Sequence, residues 1–262
     1  MIKQFIEDIK KYSKYIKYST KAGLKAEIAG SYLNWLWLFV EPICFMFIYI
    51  FVAVVVFKSN IEYFPIFVFI GLTVWNLFSK TLVSSVKLVI ANRDTVTKIY
   101  VPKFVLLLTR MCINSVKFFI SFSLVIICMI IYQVPISLNV LYFFPIFIIL
   151  FIITFGISSL FMHFGVFIKD LSNITTIALR LLFYASGVFF AIDTRVPAPY
   201  NELLIKLNPI ASIIYEFRNV LLYQSSINFS LMGIWLIIGL FLSYVGIKTI
   251  YKYENTYVKV MK

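Results

Sequence analysis

The chain consists of long apolar runs separated by short polar segments. An α-helix needs about 20 consecutive apolar residues to cross the hydrocarbon core of a bilayer, and most of these runs reach that length. A helix also satisfies its own backbone hydrogen bonds, as a spanning segment must. The pattern therefore predicts an all-α integral membrane protein with six transmembrane helices. Their predicted bounds are residues 33–57, 64–90, 104–131, 141–167, 174–192 and 231–251.

The first thirty residues carry a different pattern, which predicts a helix lying in the membrane interface. Within residues 1–18, isoleucines and Phe5 recur at spacings of three, four and seven, and lysines occupy the opposite face. A basic face opposite an apolar face is typical of interfacial helices, although it also suits packing on a soluble partner. We therefore divide the chain into an amphipathic helix with its lead-in, residues 1–30, and a six-span domain, residues 31–262.

Residues 193–229 are polar and interrupted by prolines, so they predict a segment between the fifth and sixth spans. Asn208 and Pro209 have the pattern of a helix start, with Asn as the N-cap and Pro in the first helical position. The residues that follow predict an apolar face, and Glu216 and Arg218 lie off it. That face comprises Ile210, Ile213, Ile214, Phe217 and Leu221. We expect a half-buried helix that is too short and too charged to cross the membrane.

The distribution of basic residues predicts the orientation of the chain. Of all residues 62% are hydrophobic, 19% aromatic and only 13% charged, which excludes an ordinary soluble domain. The net charge of +13 comes from basic residues beside the spans, so anionic lipid explains it better than nucleic acid does. With six spans, fifteen Lys and Arg residues fall on the side of the termini and four on the other. Since cytoplasmic loops carry the basic excess, we expect a multi-pass protein of the cytoplasmic membrane with both termini in the cytosol.

The sequence contains no recognisable catalytic or metal-binding pattern. The three cysteines lie inside apolar runs, and His163 is the only histidine, without metal-ligand spacing around it. The phosphate-binding pattern G-x-x-x-x-G-K-[ST] is absent, as are G-x-S-x-G and H-E-x-x-H. We therefore expect a protein that is not an enzyme and holds neither a metal nor a cofactor of its own.

A polar island at residues 91–103 separates the second and third spans, and Pro102 lies near its end. Such a segment must emerge from the membrane, where a cytosolic partner can move the helices on either side of it. A smaller polar island follows the fourth span, and for both islands a plain solvated connector is the alternative. The charged residues that we assign to contact with a partner are Arg93, Asp94, Lys98, Lys169 and Asp170.

Charged residues also lie within or beside the first three spans. At about 1.5 Å per residue, Glu41, Lys80 and Arg110 lie roughly 10–14 Å inside the cytoplasmic ends of their helices. Charges at that depth are costly unless they are paired or hydrated. In one interpretation Glu41 pairs with Lys80 or Arg110 and only locks the bundle. In a second, part of the basic layer lines an entrance that receives a substrate's phosphates, and contact with lipid is a third alternative. The candidate residues are Glu41, Lys80, Lys87, Lys103, Arg110 and Lys117.

Several short motifs occur in an order that resembles a known family. In chain order they are Gly30–Trp37 with Pro42, Asn92–Pro102, Lys169-Asp170, and Leu207-Asn208-Pro209 with Arg218. This order resembles the membrane subunits of type-2 ABC exporters for polysaccharides and polyol phosphates, which export O-antigen, capsule and teichoic acid. The resemblance covers nearly the whole chain.

The resemblance implies a permease that works as a homodimer with two copies of a separate nucleotide-binding ATPase subunit, in which ATP and Mg²⁺ bind. In such exporters the N-terminal helix and the first cytoplasmic loop dock on the ATPase; here these are residues 1–22 and 91–103. Lys169-Asp170 would form a smaller contact, where the family often has Arg-Asp. Segment 193–229 would form extracellular gate helices. The gate residues so implied are Asn208, Pro209, Phe217 and Arg218.

The substrate implied by the resemblance is a lipid-linked polysaccharide, O-antigen or teichoic acid that carries a pyrophosphate on a polyprenyl lipid. Two other functions remain open at this point. One is an ABC permease for a drug or another small lipophile, which a neighbouring set of glycan-synthesis genes would argue against. The other is a membrane-embedded glycan-modifying enzyme, which would act without an ATPase partner.

Overall fold

The computed structural model describes residues 1–28, 36–51 and 61–260, and all the regular secondary structure in this part of the chain is helical, without strands. The prediction of an all-α fold is confirmed. Residues 30–35 of the first motif and both ends of the predicted first span lie outside the described residues. In chain order the helices are α1 Ile2–Ile28, α2 Trp37–Ile50, α3 Phe64–Val86, α4 Leu88–Ala91, α5 Arg93–Lys98, α6 Lys103–Ile131, α7 Phe143–Phe167, α8 Leu171–Ala185, α9 Ile192–Arg195, α10 Tyr200–Leu207, α11 Pro209–Leu221 and α12 Phe229–Val260.

Four helical segments among the described residues are long and apolar enough to cross a membrane by themselves. They are Phe64–Val86, Lys103–Ile131, Leu138–Phe167 and Phe229–Tyr257. Two shorter apolar helices, Phe39–Ile48 within α2 and Leu171–Ala185, fall inside the predicted first and fifth spans. The chain is therefore a membrane protein with several apolar helices, and the second, third, fourth and sixth predicted spans coincide with the four long segments.

Two predicted spans end earlier in the structure than in the prediction. The second was predicted to reach residue 90, but α3 ends at Val86 and the chain bends at Lys87 before α4 begins. The bend lies where α7 passes closest, because a Cβ on Gly165 would collide with the carbonyl oxygen of Val86. The fifth was predicted at residues 174–192, but α8 begins at Leu171 and ends at Ala185.

The early end of α8 has a local cause. The Ser186 hydroxyl donates a hydrogen bond to the carbonyl of Leu182, at 2.7 Å, and Gly187 then adopts a positive φ of 61°. Glycine enters this left-handed region readily, and a helix commonly ends there. A Cβ on Gly187 would also approach Cγ1 of Ile192 to 2.5 Å, so the tight turn requires glycine.

Helices α7 and α12 form the closest helix pair. A Cβ on Gly156 would approach the backbone nitrogen of Ser243 to 2.9 Å, and a Cβ on Gly246 would collide with the Ser159 hydroxyl. Small residues at these positions let the two backbones approach, which favours helix association where water is absent. The C-terminal end of α12 reaches Val260, nine residues beyond the predicted end of the sixth span. The Tyr257 hydroxyl and His163 Nδ1 share a hydrogen bond of 2.8 Å that holds this extension against α7.

The N-terminal helix is longer than predicted and packs on its own chain. Along α1, Phe5 and Ile9 pack against a core formed by the beginning of α6 and the ends of α7 and α12, whereas Ile2 and Ile6 are exposed. The Tyr251 hydroxyl donates to Asp8 Oδ2 at 2.5 Å, which ties α1 to α12. Part of the apolar face of α1 thus packs on this chain, and the other part is exposed.

Helix α11 begins as predicted but is buried further than predicted. Asn208 caps it, since its side-chain oxygen accepts from the backbone nitrogens of Ile210 and Ala211 at 3.0 and 3.3 Å. The half-buried prediction is wrong, because Glu216 and Arg218, placed off the apolar face, are buried as deeply as that face. Neighbouring elements enclose α11 on nearly all sides. The spacing of apolar residues along α11 indicates one buried face and could not indicate this further burial.

Candidate functional site

A cavity of about 700 Å³ lies between α2, α3, α6 and α8, beside the C-terminal end of α1. Its lining brings together four basic residues from three helices: Lys80, Arg110, Lys117 and Arg180. Aromatic rings from α2, α3 and α8 form another part of the wall: Phe45, Trp75, Phe183 and Tyr184. We call this space the basic cavity. It offers cationic donors and apolar ring faces to the same ligand.

The helical repeat explains why two of these cations converge. Arg110 and Lys117 are seven residues apart on α6, or about two turns, so they share one face of the helix. Both pair with one carboxylate: Glu27 Oε1 lies 2.6 Å from Arg110 Nη1, and Glu27 Oε2 contacts Lys117 Nζ. All three side chains are about one-quarter to one-third exposed. The two cations therefore keep a net positive charge and remain reachable.

Lys80 has a different partner. Its Nζ lies 2.8 Å from Glu41 Oε1, and both side chains are nearly half exposed. An ion pair with that exposure contributes at most about 1 kcal/mol, so it can open at little cost. A smaller pocket of about 50 Å³, lined by Glu41, Lys80, Lys117 and Asn114, adjoins the basic cavity. Of the two partners that the sequence offered for Glu41, the structure places Lys80 and not Arg110 beside it.

Asn114 gives the cavity a fixed polar wall. Its Nδ2 donates to Thr81 Oγ1 at 2.8 Å, and Thr81 in turn donates to the carbonyl of Leu77 at 2.6 Å. Both side chains are buried, so this chain of hydrogen bonds joins α6 to α3 beneath the cations. Buried polar groups that are fully paired hold their neighbours in place.

The structure places the remaining candidates elsewhere. Lys87 is exposed at the bend between α3 and α4, away from the lining of the basic cavity. Lys103 is only 3% exposed, and its Nζ lies 5.4 Å from the centre of the Tyr100 ring. Thus Lys80, Arg110 and Lys117 come together, Glu41 joins them from the side, and the other two do not line this space.

Two residues of the cavity were missed by the sequence analysis. Glu27 lies in the lead-in after the predicted amphipathic helix, and nothing local indicates that it reaches α6. Arg180 carried a signal that was not used, because an ionisable residue inside an apolar run is itself an indicator of a polar site. Arg180 is exposed and makes no ion pair with the described residues.

The larger polar island forms a short helix anchored by a single apolar residue. On α5, Arg93, Asp94 and Lys98 are exposed, whereas Val96 is buried in the same core that receives α1. Behind it, the Tyr100 hydroxyl donates to Glu254 Oε1 at 2.8 Å, and this hydrogen bond raises the pKa of Tyr100 to about 12. The island thus presents three charged side chains on a fixed support.

The smaller island is exposed in the same way. Lys169 and Asp170 form the turn between α7 and α8, and both side chains are open to solvent. Asp170 stands at the N-cap position of α8, although its side chain makes no capping hydrogen bond. Both residues are free to meet a partner.

Arg218 is the most constrained charged residue near the second cavity. Its Nε, Nη1 and Nη2 donate to the carbonyls of Phe67, Gly187 and Val188, at 3.1, 2.8 and 2.6 Å. Its guanidinium carbon also lies 3.3 Å from the centre of the Phe67 ring. Burial lowers the pKa of Arg218 to about 9, so it keeps its charge at neutral pH. Arg218 therefore joins α11 to α3 and to the turn after α8.

Other side chains line that second cavity of about 560 Å³, beside Arg218. Charged and aromatic residues on its wall are Glu62, Asp193, Arg195, Tyr215 and Tyr223. Phe217 is fully buried and Asn208 is the cap described above, so these two named gate residues support this region, whereas Arg218 lines the cavity itself. Within the described residues, no group of three His, Cys, Asp or Glu side chains could hold a metal ion.

Comparison with known proteins gives one consistent result. The sequence profile of ABC-2 type transporters matches residues 15–222. A Klebsiella pneumoniae protein named O-antigen export system permease protein RfbA is 26% identical over 243 residues, which are 92% of this chain and 93% of the relative. A second protein of that name and organism is 27% identical over the same shares. One from Myxococcus xanthus is 26% identical over 217 residues, 83% of this chain and 84% of the relative.

The profile match covers most of the chain, and it includes the second half of α1, the polar islands, the basic cavity and α11. The relatives align over nearly their full lengths. The chain therefore belongs to the ABC-2 type transporter family. It is a permease subunit, and a separate nucleotide-binding subunit hydrolyses the ATP that drives transport.

Proposed function

We propose that this permease exports a lipid-linked polysaccharide, of the O-antigen or teichoic acid kind, across the cytoplasmic membrane. The observation that carries the proposal is the basic cavity, where four cationic side chains adjoin four aromatic rings. Arg binds phosphate groups through paired hydrogen bonds, and Lys does so as a point charge. A ligand with a phosphorylated head, sugars and a lipid tail has the chemistry that such a wall accommodates. The names of the three relatives support the same substrate class.

The proposal includes six spans, with both termini in the cytosol. Helices α2 and α8 are the first and fifth spans. At about 1.5 Å per residue, the 15 residues of α8 are roughly 22 Å long, so the turn after Ala185 completes that crossing. The asymmetry of fifteen basic residues against four supports this orientation.

We propose that the permease works as two copies bound to two ATPase subunits, which hold ATP and Mg²⁺. The docking surface comprises α1 and the polar islands. Exposed Arg93, Asp94 and Lys98 on α5 are the main contact, and Lys169 and Asp170 are a second one. The support for this assignment is their exposure, together with the packing of α5 and α1 on one core.

On the opposite side, residues 193–229 form the extracellular gate. Helix α11 is wedged between α3 and α7, so a shift of these spans must move it. Arg218 supplies the connection, because its hydrogen bonds reach α3 and the turn after α8 together. The second cavity then lies on the path by which the substrate leaves.

The two other functions have less support. A permease for a small lipophile has no need of four cations beside its aromatic wall, and the names of the relatives point to polysaccharide. A glycan-modifying enzyme would act alone, whereas family membership implies an ATPase partner. Retention of glycan-modifying activity by the chain without any ATPase would reverse this choice.

An export assay tests the proposal. The chromosomal copy is replaced by Arg180→Ala, and surface glycan is measured with an impermeant lectin, while lipid-linked glycan is measured in membrane extracts. We expect surface glycan to fall and the lipid-linked precursor to accumulate inside. Lys248→Ala is the matched control, since Lys248 is an exposed cation on α12 that does not line the basic cavity. Equal surface glycan in both variants would refute the assigned role of the cavity.

A further inference from the structure

Glu27 stands out within the basic cavity. It is the only carboxylate among the described residues that line this space, and it binds two of the four cations at once. A carboxylate that bridges an arginine and a lysine occupies the same donors that a phosphate group would use. The position of Glu27 therefore coincides with that of an anionic ligand.

Local sequence preference does not explain this placement. Glu27 lies in the last turn of α1, where the helix dipole disfavours a negative charge. The contacts with Arg110 and Lys117 compensate for this cost. A residue that breaks a local rule and is held by a distant site is more often functional than one that agrees with its own helix.

The C-terminal end of helix α1 lies beyond the contacts that fix its first half, and at Gly23 it packs so closely on α6 that an added Cβ would come within 2.5 Å of Ile113 Cδ1. Its first half is tied down, because Asp8 accepts from Tyr251 at 2.5 Å and the Tyr12 hydroxyl donates to the Tyr100 carbonyl at 3.3 Å. Between these ties and Glu27 lies Gly23, a residue that weakens a helix interior by about 1 kcal/mol relative to alanine. If Glu27 were released, the last turn could bend while the first half stays in place.

We propose that Glu27 is a built-in competitor for the anionic group of the substrate. In this structure it occupies Arg110 and Lys117; a phosphate or pyrophosphate that enters the basic cavity displaces it and frees the end of α1. The inference rests on the proposed function, in which the cavity receives a phosphorylated headgroup.

If Glu27 is a competitor, removing its charge should strengthen anion binding. If it is a purely structural ion-pair partner, removing its charge should leave anion binding unchanged or weaken it. A competitor reduces the apparent affinity for the anion by the fraction of time it occupies the site.

The full chain is placed in nanodiscs of phosphatidylcholine, and inorganic pyrophosphate binding is measured by calorimetry. Glu27→Gln should bind pyrophosphate roughly fivefold more tightly than the unmodified chain, since partly exposed ion pairs are worth about 1 kcal/mol. Glu7→Gln, the same charge change at an exposed site on α1, should leave the affinity unchanged.

Hydrogen exchange provides the second measurement. In the unmodified chain, pyrophosphate should accelerate exchange of the backbone amides of residues 22–28, whereas in Glu27→Gln exchange should be fast without it. Arg110→Gln should bind pyrophosphate weakly. These results together would support the competitor.

The outcomes separate this inference from the proposed function. If pyrophosphate binds in an Arg110-dependent manner but Glu27→Gln has unchanged or weaker affinity, Glu27 is a structural lock and the inference alone fails. If pyrophosphate does not bind the unmodified chain or Glu27→Gln, both the competitor and the anion-binding role of the cavity are overturned. Binding that Arg110→Gln leaves intact would likewise reject the competitor, because the anion would then occupy another place.

Discussion

Replacing Arg218 with methionine should destabilise the fold far more than replacing an exposed cation such as Arg195. Methionine keeps the apolar stem but removes the guanidinium, so the carbonyls of Phe67, Gly187 and Val188 lose their donor together. The side chain is only 4% exposed, which leaves little room for water to replace it. The perturbation therefore removes the hydrogen bonds and the contact with the Phe67 ring while keeping the apolar stem.

The magnitude follows from the three contacts. A hydrogen bond to a charged group contributes about 1.5–3 kcal/mol, and these contributions do not add fully when they share one donor group. The carbonyls of Gly187 and Val188 would be left without this donor, and that of Phe67 would keep only its bond within α3, so the total cost should be about 3–5 kcal/mol. Arg218→Lys should lie between the two, since an ammonium group can reach fewer of the carbonyls and lacks the planar face that stacks on Phe67.

A second substitution tests the same site without touching the arginine. A Cβ on Gly71 would approach Arg218 Nη2 to 2.7 Å and the carbonyl oxygen of Val188 to 2.8 Å. Gly71→Ala should therefore displace the guanidinium and destabilise the protein in the same direction. If the higher helix propensity of alanine were the only effect of this substitution, it would instead stabilise α3 by about 1 kcal/mol.

The assay is unfolding of the purified permease in mixed detergent micelles, followed by tryptophan fluorescence as the denaturing detergent increases. Arg195→Met is the matched control, because Arg195 is exposed on α9 and makes no ion pair with the described residues. If Arg218→Met unfolds at the same detergent fraction as Arg195→Met, the hydrogen bonds of Arg218 do not stabilise the fold and the reasoning is refuted.

Three further predictions concern coupling, topology and the smaller pocket. Arg93→Glu should reduce glycan export at normal membrane levels, because it reverses an exposed charge on the proposed docking surface; unchanged surface glycan would contradict this. Tyr200→Cys should react with an impermeant thiol reagent in intact cells and Lys98→Cys should not, and the reverse labelling would invert the topology. Exchanging Glu41 and Lys80 for each other should leave the protein folded, since the pair at 2.8 Å can form again with its charges exchanged. If that double variant also exports at the full rate, Lys80 does not serve as a phosphate contact.

Periodic features were predictable from the sequence. The four long spans, the cap formed by Asn208 and the shared face of Arg110 and Lys117 all depend on residues within a few turns of one another. The helical repeat determines such relations before any tertiary contact forms. The early end of α8 also had a local signal, a glycine with a preceding serine, but apolar residues after it concealed the turn.

Features that depend on distant contacts were not predictable. Glu27 and Arg110 are 83 residues apart, and Asp8 and Tyr251 are 243 apart. Nothing in the neighbourhood of Glu27 indicates which helix α1 will lie against. The depth of Arg218 was missed for the same reason, because burial of α11 depends on elements on every side of it and its own amphipathic period predicts only one buried face.

The same distant contacts make α1 the element that connects the two proposed sites. One half of it holds the polar island, through the hydrogen bond from Tyr12 to the carbonyl of Tyr100, and its other end holds the cations of the basic cavity through Glu27. A helix is stiff along its axis, so displacement at one end is transmitted unless an intervening residue bends. Gly23 is placed where such bending would occur. The extent of coupling between the cavity and the docking surface should therefore depend on the stiffness of α1 at this one position.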